Sequence, residues 1–353
     1  MKSVLFKLTA LTILLGSLAF AWAFITYDQL RSEPLNIEKS GLSYEIKTGD
    51  TLKSLVRNLY KQGIISNPNY LVWFARIKGT ASSIQRGEYL LKPGTTPIDF
   101  LNQIVNGQTV QYSITIVEGW TFREMLGFLK KNEQIKHTLK GMSDKEIMAK
   151  LGHPDEHPEG RFLPDTYKFP KGTTDIAFLK RAYQALETVL AKEWETREEG
   201  LPLKSAYEAL ILASIVEKET GLASERPEIS GVFTRRLQKR MRLQTDPTVI
   251  YGLGKKFNGN LRRRDLVNDT PYNTYRRHGL PPTPIALPGR DAIWAALHPD
   301  DSENLYFVAK GDDNHKFTSN LRDHNNAVIK YQLKGKRKTF SSYKAKKTTK
   351  KSN

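Results

Sequence analysis

The chain has 353 residues, 39% of them hydrophobic and 26% charged, enough to build two cores and too apolar to be wholly disordered. It has no cysteine, which excludes disulfides, thiolate metal sites and thiol nucleophiles. The net charge of +18 is uneven, because residues 334–353 hold nine Lys or Arg and no acid, half of the excess.

At the N-terminus, Lys2 and Lys7 precede the uncharged run LTALTILLGSLAFAWAFI, residues 8–25. A helix of about 20 apolar residues crosses a bilayer core, so 8–25 is expected to be a transmembrane anchor. Lysines before it, and Asp28, Glu33 and Glu38 after it, put residues 1–7 in the cytoplasm and the rest of the chain outside. A removed signal peptide is the competing reading, since Ala19 and Ala21 form an A-x-A pattern. Residues 26–43 read as a linker.

Next come three segments with one layout: YEIKTGDTLKSLVRNL from Tyr44, YLLKPGTTPIDFLNQI from Tyr89 and ITIVEGWTFREMLGFL from Ile114. Each is a β-prone run, then Gly-x-Thr, then an amphipathic stretch. The glycines (Gly49, Gly94, Gly119) suit a turn with positive φ, and the threonines (Thr51, Thr96, Thr121) are placed to cap a helix. Residues 44–132 are therefore predicted to be a small α+β region of strand–turn–helix units. The first unit, with its TGDTL turn, resembles a LysM module, a small fold that binds N-acetylglucosamine polymers. An ordinary helix start is the alternative there.

Residues 136–170 read as loop-rich, and 175–198 as one long helix broken by Gly200 and Pro202. Ser205 and Glu208 have capping-box spacing, so a helix should begin at Ala206. It continues through ALILASIV, apolar on every side and hence buried, to Glu217 and Glu219, with Gly221 suited to a left-handed position beyond. Two residues apart, the glutamates are turned from each other by roughly 200° and cannot act as a paired dyad. Glu219 continues the stripe of Leu212 and Ile215. A carboxyl dried by such neighbours and opposed by the helix C-terminal dipole has a raised pKa, as a general acid near neutral pH needs. Two solvated helix-end glutamates flanking Lys218 are the plainer reading.

Downstream, residues 224–240 read as a second amphipathic helix, followed by MRLQTDPTVIYGLG. Asp246-Pro247 looks like an N-cap and first helical residue. Gln244 and Thr245 lie before it in a loop, with side chains able to bond sugar hydroxyls or acetamides. Tyr251 offers a ring to a sugar face or to the core. The turn-rich PYNTYRRHGLPPTPIALPG carries Tyr272, Asn273 and Tyr275. The seven histidines are scattered, so no metal site is expected, and no G-x-S-x-G elbow marks a Ser/His/Asp triad, although spacing alone does not exclude one; no cofactor is expected.

Taken together, EGRFLPDTYKF, LASIVEKETGLASER, VFTRRLQKRMRLQTDPTVIYGLG, YNTY with HGLPPTPIALPG, and LYFVAKGDDNHKF are similar to the MltG-type (YceG-like) endolytic murein transglycosylases. The resemblance implies an α+β protein: an N-terminal transmembrane helix, a small LysM-like α+β domain, and a larger, mostly helical catalytic domain with some β structure at 133–333. It implies a bacterial inner-membrane enzyme with its catalytic part on the periplasmic side. Such an enzyme cleaves the MurNAc–GlcNAc β-1,4 bond within nascent peptidoglycan strands, leaves 1,6-anhydroMurNAc ends and so ends elongation by cell-wall synthases, its expected partners. It implies Glu219 as the catalytic acid and a supporting role for Glu217. Glu217 in that supporting role, Gln244, Thr245, Tyr251, Asn273 and Tyr275 are expected substrate contacts. A hydrolytic muramidase and a non-catalytic peptidoglycan-binding scaffold are the alternatives. The tail at 334–353 is not part of the family pattern. It reads as disordered, with anionic lipid or wall polymer rather than nucleic acid as its partner, or as merely solvated.

Overall fold

Each Gly-x-Thr turn of the sequence opens a helix, and these local signals organise the first part of the chain. The computed structural model describes residues 2–312 and 314–333 and mixes helix with sheet; the expected basic tail lies outside the described residues. Helix α1 (Lys2–Ser32) is followed by β1 (Leu42–Ile46), α2 (Leu52–Lys61), α3 (Pro68–Ile77), β2 (Gly87–Leu91), α4 (Pro97–Val105), β3 (Gln111–Thr115) and α5 (Phe122–Leu129). Thr51, Thr96 and Thr121 each cap the next helix in a capping box, and Gly49, Gly94 and Gly119 have φ of +94°, +88° and +75°. Helix α3, opened by Pro68, was not read from the sequence.

Two compact units form. The first runs through Ser113 and includes Glu133–Lys136 and Lys168–Thr173. In it β1 and β2 pair antiparallel, Tyr44 opposite Tyr89, and Leu55, Val56, Leu71, Leu91, Phe100 and Ile104 fill the core. The tyrosine at 89 is fully buried and its hydroxyl donates to the Gln85 carbonyl at 2.8 Å, so no polar group is stranded. The linker expected over 26–43 begins as helix instead. FITYDQLRS contains no breaker before Pro34, and Thr26 and Leu30, 2% and 4% exposed, are drawn into the first unit's interior.

The second unit comprises Ile114–Asn132, His137–Tyr167 and the chain from Thr174. The α+β region expected to end at 132 therefore divides earlier. The third strand–turn–helix goes with the second unit because Gly119 and Trp120 exchange backbone hydrogen bonds with Leu287 (2.9 and 2.7 Å). This unit also holds α6 (Asp144–Leu151), where a loop was expected. Ser143 and Glu146 form its capping box. Strand β4 (Thr166–Pro170) pairs with β3. Then come α7 (Asp175–Glu195), α8 (Ala206–Glu219), α9 (Arg226–Gln238), α10 (Asp246–Leu253), α11 (Arg263–Val267), α12 (Arg290–Leu297), the hairpin of β5 (Tyr306–Ala309) and β6 (His315–Thr318), and α13 (Leu321–Tyr331).

Helix α8 is the axis of this unit: every residue from Ala209 to Val216 is buried, against α12, α9, α7 and α10. Each fully buried Leu or Ile stabilises the unit by about 1.5–3 kcal/mol. Ser214, the polar exception, donates to the Ile211 carbonyl (2.7 Å) and accepts the Ile285 N–H (3.0 Å), which fastens the TPIAL loop to the helix.

Candidate active site at the end of the buried helix

Both ends of α8 are fixed. Ser205 accepts the Glu208 N–H at its start, while the Glu208 carboxylate reaches past the box position to the Lys204 N–H (2.7 Å). The other end stops at Thr220, which is extended (φ −144°, ψ 139°). Gly221 does not take the left-handed conformation expected of it, because the Thr220 hydroxyl accepts the Leu222 N–H (3.0 Å) and turns the chain without it.

The two glutamates part as the helical rotation requires. On one side, Glu217 accepts the Gly289 N–H at the start of α12 (2.9 Å) and pairs with Arg226 (3.1 Å), and these two side chains are 5% and 7% exposed. Arg226 also meets Glu118 at 3.2 Å and Asp291 at 3.5 Å. Burial pushes the Glu217 carboxyl up, opposed by the Gly289 N–H and the Arg226 charge. Its oxygens are occupied by protein, so the substrate contact expected of it is replaced by an anchoring role: it ties the end of α8 to α9 and α12.

On the other side, the Glu219 carboxyl accepts a short hydrogen bond from the Thr245 hydroxyl. Burial drives its pKa up to about 7; the Thr245 bond lowers it, the nearby Asp246 charge raises it, and His315 and Arg236 lower it. Thr245 is 2% exposed and its N–H donates to the Thr274 hydroxyl (3.1 Å). Gln244 beside it is exposed, at φ +54°. Asp246 opens α10 as its first residue; Thr245 is the cap, and the Asp246 carboxylate accepts instead from the Tyr275 hydroxyl at 2.6 Å. Burial and that bond push the Tyr275 hydroxyl well up, and Glu219 is close enough to add to the effect. The structure thus brings Glu219, Thr245 and Tyr275 together.

It does not bring in Asn273 or Tyr251. Asn273 is 1% exposed, and its amide nitrogen is shared by the carbonyls of Asp265, Leu266 and Asn268, while its oxygen accepts the Tyr275 N–H. It holds the loop's shape and presents nothing to a ligand. Tyr251 packs edge-on to Tyr272 at 4.9 Å and donates to Glu159 at 3.1 Å.

Around the site, Arg236, Glu225 and Glu159 were not singled out in the sequence. Arg236 on α9, 7% exposed, donates to the carbonyls of Leu305 (2.7 Å) and Leu243 (2.6 Å), which sets the loop that delivers Thr245. His315 binds the Glu225 carboxylate through both its backbone N–H and Nδ1, each at 2.7 Å. Their signal lay in the quoted runs ETGLASER, FTRRLQ and DNHKF, where charge interrupts apolar sequence. Glu159, in EGRFLPDTYKF, is a second dried carboxyl, 4% exposed; burial raises it to about 7 although Phe122 N–H (2.8 Å) and Tyr251 bond to it.

Because the folded Glu159 keeps its proton longer than the unfolded one, stability falls as pH rises from about 4.5 to about 7 and stays low above. Glu159→Gln, whose amide can still meet both donors once the tyrosine hydroxyl turns, should remove that loss. The variant is expected to gain up to about 3 kcal/mol over wild type between pH 4 and pH 8. Urea unfolding at the two pH values measures it, and an equal difference at both would refute the buried-acid account.

At the end of the buried α8, the Glu219 carboxyl, raised to about 7 by burial and bonded by the Thr245 hydroxyl, has the form that a general acid needs. The chain belongs to the YceG-like family, which matches residues 44–330. It is 30% identical over 328 residues to the endolytic murein transglycosylase of Bacillus subtilis (strain 168), covering 86% of this chain and 89% of the relative. It is 26% identical over 352 residues to that of Streptococcus pneumoniae serotype 2 (strain D39 / NCTC 7466), covering 89% of this chain and 63% of the relative. Among solved structures, it is similar to a yceG-like protein of Listeria monocytogenes, with a TM-score of 0.51 and 27% identity over 82% of this chain and 99% of the other.

Proposed function

We propose that this protein is an endolytic lytic transglycosylase of peptidoglycan, and that Glu219 does the chemistry. Protonated Glu219 gives its proton to the glycosidic oxygen between N-acetylmuramic acid and N-acetylglucosamine, and that C–O bond breaks. The oxocarbenium-like carbon is captured by the same sugar's 6-hydroxyl, whose proton returns to Glu219. No second carboxylate and no water are consumed, unlike in paired-carboxylate hydrolases. The observation that carries this reading is the Glu219 carboxyl raised to about 7 beside Thr245, in a chain whose relatives bear the name endolytic murein transglycosylase.

Gln244, Thr245 and Tyr275 are the substrate contacts this reading retains, because they adjoin the carboxyl or its hydroxyl partner. The first unit's strand–helix–helix–strand order, with its outer strands paired, supports a LysM-like glycan-binding role. The helix Val4–Ser32, which holds an 18-residue apolar window of mean hydropathy 2.1, supports a single-pass inner-membrane anchor, and the lysines before its uncharged run support a periplasmic catalytic unit. Cell-wall synthases are the partners that strand termination would require.

Purified glycan strands digested with the protein should yield new ends lighter by one water than reducing ends, read by mass spectrometry. Reducing ends would make it a muramidase. Binding without new ends would make it a scaffold.

A further inference from the structure

Outside its anchor, the first unit exposes large apolar side chains that its own core does not explain. We propose that the face of α3 carrying Tyr70, Trp73 and Ile77 lies in the headgroup layer of the membrane that α1 enters, so that the first unit rests on the lipid surface. This inference rests on the membrane-anchor reading of α1.

Four observations place it there. Helix α1 runs unbroken from its apolar stretch into the unit, where Thr26 and Leu30 are 2% and 4% exposed and the helix packs against α3 and α4. At about 1.5 Å per residue, the roughly 30 Å hydrocarbon layer takes about 20 residues, and one that holds the uncharged run 8–25 ends within about a turn of Trp22. Trp22 meets α3 at that level, edge-on to Tyr70 (5.9 Å) and Trp73 (5.6 Å), and Tyr27 lies against Phe74 at 5.8 Å. Tryptophan and tyrosine with one wet and one dry side concentrate at this boundary.

The spacing 70, 73, 77 puts all three side chains on one helix face. Trp73 remains 41% exposed and Ile77 65%, while Arg76 and Lys78 flank Ile77 in the open, suited to anionic headgroups. A sugar platform would use the tryptophan ring but has no need of an exposed isoleucine beside it.

The absence of native cysteine gives a direct test, since one introduced thiol is the only label site. The full chain is reconstituted in phosphatidylcholine–phosphatidylglycerol vesicles with a fluorophore on Ile77→Cys, on Leu14→Cys within the apolar run, or on Lys53→Cys, exposed on α2. Brominated lipid should quench the labels at 14 and 77, and aqueous iodide the label at 53. Quenching at 14 by lipid with 77 open to iodide would overturn the docked face and leave the anchor standing. Iodide reaching both would remove the anchor reading and the proposal with it. An Ile77 label open to iodide but shielded by added glycan strands would assign the face to sugar instead.

Discussion

Glu219→Gln should abolish strand cleavage while leaving the fold intact. The one carboxyl is asked to act twice, first as acid and then as base, and positioned proton transfer is worth about 10²–10⁴-fold for a single such role. Turnover should therefore fall by at least about 10³-fold. The amide is nearly isosteric, its oxygen still accepts from the Thr245 hydroxyl, and no dried charge remains to be tolerated above neutral pH. Thermal unfolding at pH 8 should thus be unchanged or slightly higher, and binding of glycan strands retained. In the proposed mechanism only protonated Glu219 starts the reaction, so with its pKa at about 7, kcat/KM should drop with rising pH above that value. The drop approaches tenfold per pH unit well above the pKa. A pH–rate profile and single-turnover digestion measure both effects. Near-normal turnover by the variant would remove Glu219 from the reaction.

What could be read from the sequence was what neighbours in the chain decide. Thr51, Thr96 and Thr121 cap helices because a threonine three residues before a suitable partner needs nothing distant, and the start of α8 at Ala206 followed from Ser205 in the same way. The family likeness came from long runs in fixed order. Local signals also misled by small steps: Asp246 proved to be the first helical residue and Thr245 the cap, because the cap is fixed by backbone angles that a TDP run leaves open. Asn273 looked like a binding residue in a polar loop. Its partners, the carbonyls of Asp265, Leu266 and Asn268, become visible only when that loop is folded. The burial of Glu159 and the pairing of Glu217 with Arg226 are likewise tertiary. Nothing in EGRFLPDTYKF says that Phe122 and Tyr251 will close over its acid. The capping box of α6 was legible, and was hidden by the prolines and glycines that surround it.

Arg226→Ala should be among the most destabilising single changes in the second unit. It strips the cation from Glu217, whose side chain is 5% exposed, and leaves a dry carboxylate held only by the Gly289 N–H. Breaking one side of a buried pair costs about 3–5 kcal/mol, far more than an intact pair contributes. The sign of its pH dependence follows from the same burial. Without Arg226 the Glu217 pKa, already raised, rises further, so the folded state keeps its proton to higher pH than the unfolded chain does. The loss should be smallest in mild acid, where both states are protonated, and should grow as pH rises through the folded value. Glu217→Gln combined with Arg226→Ala should recover part of the stability at pH 8, since no uncompensated charge then remains. Thermal unfolding of the three proteins at two pH values makes the comparison. Cleavage should suffer in the single variant as well, because Glu217 and Glu219 share the last turn of α8, and a shift of about 1 Å at a reacting group costs on the order of 10²-fold. If Arg226→Ala cut turnover without lowering the melting temperature, Glu217 would move from the scaffold into the reaction itself.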